Sequence, residues 1–388
     1  MQQDIVHTIF LIFTGAAVLA TVALYARQAL LVAYILLGIL LGPSVLGLVN
    51  DPDLIGDIAH IGIMFLLFLM GLELNPREFL LLMRKTIMIT LASSLVFWGS
   101  GTLLALFFDY TFRESLLIGA VMIFSSTIIG LKLLPTTVLH HQRTGEIIIS
   151  ILLLQDFIAI LLLLIIEGSA TQKLSVVEFV KLGVSLPLLI GGAILFVRKV
   201  LLRLLQKFDT FREYIFLLAI GWCLGMAETA AALGVSHEIG AFVGGVTLAS
   251  SPISLYMSEN LKPLRDFFLV MFFFSLGAGF DLSILGGVLF PALVFALLTV
   301  AGKPPVFSLL LQKSGESGKR AREVGARLGQ LSEFSLLVSI LALERNLIGT
   351  EASYLIQLTT LLTFFASTYL VVLRYPTPIA LSDALRRN

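Results

Sequence analysis

Leu152-Leu153-Leu154-Gln155-Asp156-Phe157-Ile158-Ala159-Ile160 sets one carboxylate in the middle of an apolar run that extends from 145 to 166. A run of that length can cross a bilayer core. A charge at the centre of such a span costs about 2.5–3.5 kcal/mol on insertion scales. One explanation for accepting that cost is a structural hydrogen bond to a neighbouring helix. The other is transport: a carboxylate can hold a cation or a proton in alternation, and loss of hydration favours the protonated form. Gln155 would add a neutral carbonyl ligand beside Asp156.

The chain around this stretch is built for lipid. Its 388 residues are 58% hydrophobic and 13% charged, with a mean hydropathy of +1.00, whereas soluble domains carry about 25% charge. Cutting at charges, turn residues and Pro/Gly clusters gives about thirteen apolar segments: 5–25, 29–48, 54–73, 86–108, 115–134, 145–166, 175–204, 212–232, 236–250, 265–280, 284–311, 323–344 and 350–373. These runs are too long for the roughly ten-residue alternating strands of a membrane β-barrel. The first lacks a basic start and is long enough to span, so it reads as a helix and not as a cleaved signal. Cys223 lies within an apolar run and reads as a small packing residue.

Threading the segments alternately, with the N-terminus outside, collects 21 basic residues on one side and only Arg113, Lys173, Lys181 and Arg345 on the other. Basic residues mark the cytoplasmic face. The expectation is a multi-pass inner-membrane protein with its C-terminus in the cytoplasm. The remaining basic residue, Lys303, sits inside a span, in Val300-Ala301-Gly302-Lys303-Pro304-Pro305. About ten apolar residues flank it on either side, which makes snorkelling difficult, so it reads as an internal counter-ion for a carboxylate.

The chain also resembles itself at an offset of 207 residues. Leu37 to Gly42 falls on Gly244 to Ala249, Met64 to Leu67 on Met271 to Phe274, and Ser125-Ser126-Thr127 on Ser332-Glu333-Phe334; with one insertion, Gly71 to Asn75 falls on Gly279 to Ser283. The offset pairs segments seven spans apart, which turns the second copy upside down. Inverted repeats place transporter sites at the midplane, where broken helices meet. Ser125, Ser126 and Thr127 interrupt segment 5, and Gly329, Gln330 and Ser332 interrupt segment 12. Hydroxyls there could simply pack helices, or unwound backbone could turn carbonyls towards an ion. Glu333 could serve the site or cap a helix; Glu73 and Asp281, at segment ends, read as structural. The glycines Gly38, Gly42, Gly240, Gly244 and Gly245 read as close-packing positions at a dimer or domain interface.

The phosphate loops, dinucleotide fingerprints, HExxH and CxxC patterns of enzymes are missing from the sequence. His7, His60, His140, His141 and His237 are scattered, without metal-ligand spacing. The expectation is a transporter that needs no resident cofactor and does not bind nucleic acid. A cation channel is the alternative, although a channel usually shows repeated polar rings or a carbonyl filter; a non-transporting sensor would leave the midspan charge unexplained.

Gly71-Leu-Glu-Leu-Asn-Pro, Phe124-Ser-Ser-Thr, Leu153-Leu-Gln-Asp-Phe-Ile-Ala-Ile, Gly240-Ala-Phe-Val-Gly-Gly-Val and Gly329-Gln-Leu-Ser-Glu-Phe, with the midspan Lys303, resemble the monovalent cation:proton antiporter-2 family along essentially the whole chain. The Gln155-Asp156 pair resembles its glutathione-gated potassium-efflux (Kef-type) branch. The resemblance implies an all-α sodium/proton-antiporter-like fold of thirteen transmembrane helices. Two inverted repeats of six (about 1–168 and 210–376) would flank a linker helix at about 175–207, with crossed breaks in segments 5 and 12. It implies a homodimer, elevator-like alternating access, and competition of K⁺ or Na⁺ with H⁺ at Asp156. Lys303 would pair with Asp156; Gln155, Ser125, Ser126 and Thr127 would help bind the ion; Gln330, Ser332 and Glu333 would support the site. A single carboxylate suggests electroneutral exchange, and the Kef-type likeness favours K⁺ over Na⁺. The cytoplasmic nucleotide-binding regulatory domain of that branch is not in this sequence, and the loop read at Leu255–Asp266 lacks its histidine-led acidic pattern. Nucleotide or glutathione control would therefore require a further C-terminal domain.

Overall fold

A computed structural model describes residues 5–49, 52–73, 76–132, 143–169, 176–208, 211–249, 251 and 253–377. The regular structure along them is helical. In chain order it comprises α1 (Ile5–Tyr25), α2 (Leu30–Leu41), α3 (Pro52–Glu73), α4 (Pro76–Phe107), α5 (Phe112–Val121), α6 (Thr127–Lys132) and α7 (Arg143–Ser169). Then come α8 (Val176–Phe196), continued by a π turn (Val197–Leu201) into α9 (Leu202–Lys207), and α10 (Arg212–Ala232). The remainder are α11 (His237–Ala249), α12 (Ser254–Ala278), α13 (Leu285–Lys313), α14 (Gly318–Arg327), α15 (Glu333–Glu344) and α16 (Thr350–Arg374).

Among the described residues, six helices are long and apolar enough to cross a membrane: Val6–Tyr25, Thr86–Phe107, Arg143–Leu163, Arg212–Ala232, Leu282–Lys313 and Thr350–Arg374. The chain is thus a polytopic, all-helical membrane protein. Two expected segments are not single helices. Segment 5 breaks over 122–126, between α5 and α6, and segment 12 breaks over 328–332, between α14 and α15. The second break begins one residue short of the 207-residue offset from the first. One loop is corrected: Leu255–Asp266 is the first half of α12. Exposed charges carry it as a helix, Lys262 pairing with Glu259 one turn back at 2.5 Å, and Pro263 is accommodated within the helix. The side chain of Glu73 and the residues His140 and His141 lie outside the described residues.

The chain divides into two compact units, each drawing on both halves of the sequence. The first comprises residues 1–16, 34–80 and 167–279. Its core includes Phe65, Phe68, Leu201, Leu205, Ala219, Cys223 and Leu248, so Cys223 is a packing residue. The glycine stripes belong here. A side chain at Gly38 of α2 would strike the backbone of α12 at Phe274 and Gly277, and one at Gly245 of α11 would strike α3 at Phe68 and Gly71. These glycines therefore serve helix crossings inside the unit, and Gly240 likewise meets Met226 and Ala227 of α10. The two crossings correspond: segment 2 packs on 10 as segment 9 packs on 3.

The second unit comprises residues 17–33, 81–166 and 280–388. Ile148, Ile151 and Leu152 of α7, Phe307 and Leu311 of α13, and Ala321 and Val324 of α14 share a core with Phe97. Residue 325 must be glycine for α14 to approach, because a Cβ there would lie 2.5 Å from the Pro304 carbonyl oxygen. At the ends of the unit, Thr111 and Glu114 form a capping box at the start of α5. Asp281 caps the short turn 282–284 through the Ser283 N–H at 2.8 Å, the structural role expected for it.

Candidate functional site

All the residues singled out for ion exchange lie in the second unit, around its two helix breaks. An unwound segment inside an apolar protein exposes backbone N–H and C=O groups, each of which needs a partner. Following those partners assembles the site.

The first break is held from α7 and α13. The Gln155 side-chain carbonyl accepts from the Ser125 N–H at 3.0 Å, and its amide donates to the Ile123 carbonyl at 3.0 Å. Gln155 is fully buried, so its amide braces the broken backbone, where the sequence had suggested an ion ligand. The Ser126 hydroxyl accepts from the Ile129 N–H at 3.0 Å and caps the start of α6. The second break is braced in the corresponding way: the Leu331 N–H donates to Thr363 Oγ1 of α16 at 3.1 Å. The Ser332 hydroxyl caps α15 by accepting from the Phe334 N–H at 3.2 Å, and Glu333 occupies the first position of that helix.

The breaks also bond to each other. The Ser125 hydroxyl donates to the Leu328 carbonyl at 2.9 Å, and the Gln330 amide donates to the Ser126 and Arg327 carbonyls at 3.4 and 3.0 Å. The Gln330 side-chain oxygen accepts from the Ser367 hydroxyl at 2.9 Å. The Ser335 hydroxyl donates to the Val121 carbonyl at the end of α5 at 2.9 Å.

Lys303 joins the two breaks. Its ammonium donates to the Phe124 carbonyl at 2.7 Å, the Gln330 carbonyl at 3.2 Å, Ser125 Oγ at 3.3 Å and the Ile123 carbonyl at 3.4 Å, and it lies 5.2 Å from the centre of the Phe97 ring. It is 2% exposed. The acceptors follow the C-terminal ends of α5 and α14, where helix dipoles concentrate negative partial charge. The expected pairing with Asp156 is not among the contacts of Lys303 in this conformation: the carbonyl ends of both half-helices supply its counter-charge.

Asp156 is 4% exposed and sits at the other side of the first break. Thr127 Oγ1, on the first residue of α6, donates to Asp156 Oδ2 at 3.2 Å, with Oδ1 at 3.5 Å. A carboxylate is favoured at a helix start and an ammonium at helix ends, so the break separates the two charges along its own polarity.

Two groups were not anticipated from sequence. Arg327, counted among loop residues, is 1% exposed at the end of α14; its guanidinium donates to Glu323 at 2.9 Å and to the Pro376 carbonyl at 2.8 Å. Thr363 and Ser367, hydroxyls inside the apolar α16, are fully buried and hold the second break. Their helical spacing with Thr360, buried on the same face, was the available signal.

An all-helical membrane unit whose two broken helices enclose a buried carboxylate and a buried lysine defines a secondary ion transporter. The family is established by the match of residues 9–373 to the sodium/hydrogen exchanger transmembrane model; the chain belongs to that family of cation/proton antiporters, which are transporters and not enzymes. It is similar to the iron transporter MagA of Paramagnetospirillum magneticum, 26% identical over 347 residues that cover 88% of this chain and 79% of the relative. Its fold is similar to the sodium proton antiporter MjNhaP1 of Methanocaldococcus jannaschii solved at pH 8, with a TM-score of 0.63, 17% identity, and coverage of 94% of this chain and 93% of that one.

Proposed function

We propose that this protein exchanges a monovalent cation for a proton at Asp156, with K⁺ the preferred cation and Na⁺ the alternative. The observation that carries the reading is the position of Asp156: one nearly buried carboxylate beside a helix break, bonded to the Thr127 hydroxyl at 3.2 Å. Oxygen donors of this kind suit hard cations. Among the described residues no three His, Cys, Asp or Glu side chains gather to hold a metal ion, which favours a singly charged cargo. Cation and proton compete because the carboxylate can neutralise only one at a time. Since Lys303 stays on the backbone carbonyls, one negative charge turns over per cycle, and one-for-one exchange is electroneutral.

The reading extends to thirteen transmembrane helices in two inverted repeats and a linker, elevator-type alternating access, a homodimer, and an inner-membrane orientation with the N-terminus outside. The repeat is supported by the matched breaks, by their matched braces at Gln155 and Thr363, and by the reciprocal glycine crossings. The cation channel is disfavoured because the polar groups of the breaks bond to each other and do not form a ring of free carbonyls.

The test is antiport in proteoliposomes carrying a pH-sensitive dye, comparing K⁺, Na⁺, Li⁺ and Fe²⁺ over a pH range. Dequenching with K⁺ that is lost in Asp156→Asn and Asp156→Ala is expected. Transport that survives either substitution removes Asp156 as the carrier, and a response to Fe²⁺ alone overturns the monovalent assignment.

A further inference from the structure

The second unit carries a groove of about 800 Å3 away from the exchange site. Its floor is apolar, formed by Val300, Pro304 and Leu309 of α13 and by Leu370 of α16, and its mouth is ringed by Lys313, Arg322 and Arg374. These three cations, on α13, α14 and α16, are exposed. The neighbouring basic residues are neutralised: Arg143 and Arg320 pair with Glu316, and Arg327 pairs with Glu323. Lys313, Arg322 and Arg374 have no carboxylate partner among the described residues.

We propose that this groove binds one anionic phospholipid, its phosphate held by Lys313, Arg322 and Arg374 and an acyl chain lying on the floor. Length supports that occupant. From Val300 to Lys313, α13 rises about 20 Å at 1.5 Å per residue, which matches one leaflet of a core about 30 Å thick plus its headgroup layer. The polarity runs in the same sense, with apolar walls at depth and cations at the end. It also lies on the side that gathers most of the basic residues of the chain, where such pockets between helices take anionic headgroups. Three uncompensated cations make the groove a poor route for a cation, so it is not the ion path. The three elements it would tie together also carry the exchange site: Lys303 is on α13, the second break follows α14, and Thr363 and Ser367 are on α16. A lipid seated here therefore steadies the elements that hold the second break.

Native mass spectrometry and thermal unfolding of the full chain in detergent test this, with phosphatidylglycerol, phosphatidylcholine or soluble glycerol phosphate added. The comparison is between wild type, the triple variant Lys313→Gln/Arg322→Gln/Arg374→Gln, and a control, Lys199→Gln/Arg203→Gln, which removes exposed charges elsewhere. Wild type and control retain one phosphatidylglycerol and melt higher with it. At about 1 kcal/mol per basic residue and tenfold per 1.4 kcal/mol, the triple variant binds it about 100-fold more weakly. Equal retention by the triple variant overturns the proposal, as does equal stabilisation by phosphatidylcholine. Equal stabilisation by glycerol phosphate replaces the lipid with a simple anion site.

Discussion

Replacing Lys303 with methionine separates two accounts of the buried lysine. The ammonium donates to the Phe124 carbonyl at 2.7 Å and the Gln330 carbonyl at 3.2 Å, with longer contacts to Ser125 and Ile123. Methionine fills similar volume but donates nothing. Each buried carbonyl left without a donor costs about 1–3 kcal/mol, so the two short bonds together represent about 2–6 kcal/mol. Removing a buried ammonium returns several kcal/mol of desolvation. The net expectation is a modest loss of stability, about 1–3 kcal/mol. The sharper quantity is coupling to Asp156. Breaking a buried ion pair costs about 3–5 kcal/mol, and a neutral partner would then relieve most of it. If Lys303 clamps the carbonyl ends instead, Asp156→Asn and Lys303→Met act nearly independently, and their cycle closes to within about 1 kcal/mol. Chemical denaturation of the four proteins in detergent, at one pH and lipid content, measures this. A coupling of about 3 kcal/mol or more refutes the clamp and restores the direct ion pair.

Three further outcomes follow from the same geometry. Gln155→Leu strips partners from the Ser125 N–H and the Ile123 carbonyl, and is expected to destabilise by about 2–6 kcal/mol; Gln155→Glu, which keeps the acceptor and loses the donor, falls between, and an unchanged midpoint for Gln155→Leu would contradict the bracing role. Gly245→Leu drives a side chain into Phe68 and Gly71, so expression or the melting temperature drops sharply, whereas Gly221→Ala, which meets open space, leaves both unchanged in detergent. Glu316 is pushed up by partial burial, but hydrogen bonds and charge from Arg320 and Arg143 outweigh that and hold it below its usual value of 4.5. Because the folded value is depressed, its stabilisation is complete at neutral pH and is lost as pH falls through the folded value. With exposed arginines the effect is about 1 kcal/mol, seen as a gap between wild type and Glu316→Gln at pH 7 that closes in acid and shrinks in high salt.

The parts of this protein legible in its sequence are those where chemistry conflicts with environment. Asp156 and Lys303 stand out because charge inside an apolar helix is costly whatever the fold. The breaks at 122–126 and 328–332 were legible through small polar residues at matching places in the repeat. What stayed hidden is partnership across long separations. Lys303 meets Phe124 from 179 residues away, and its acceptors are backbone carbonyls, which every residue has and no sequence marks. An isolated lysine in a span invites pairing with the nearest conspicuous acid, and that reasoning led to Asp156. Arg327 was hidden for a related reason. A basic stretch between apolar runs reads as solvated loop, but α14 turns it into a helix whose Glu323, four residues earlier, neutralises the buried guanidinium. The glycine stripes were legible as close approaches, although which helix approaches depends on the tertiary fold.

The two braces bear on why a single carboxylate suffices. At equivalent places in the two breaks an N–H is held by a side chain, Gln155 for Ser125 and Thr363 for Leu331. The residue after Gln155 is Asp156, whereas the two residues after Thr363 are phenylalanines, Phe364 and Phe365. One half of the structure therefore carries the exchangeable acid and the other a neutral copy of its frame. Lys303 serves both halves at once, since its acceptors Phe124 and Gln330 lie one in each break. With the lysine committed to backbone dipoles, the charge of the site is set by what Asp156 holds. Asp156 can then exchange one proton for one cation while the hydrogen bonds of the crossed breaks stay in place, and the electrostatic cost of an empty site falls on that residue alone.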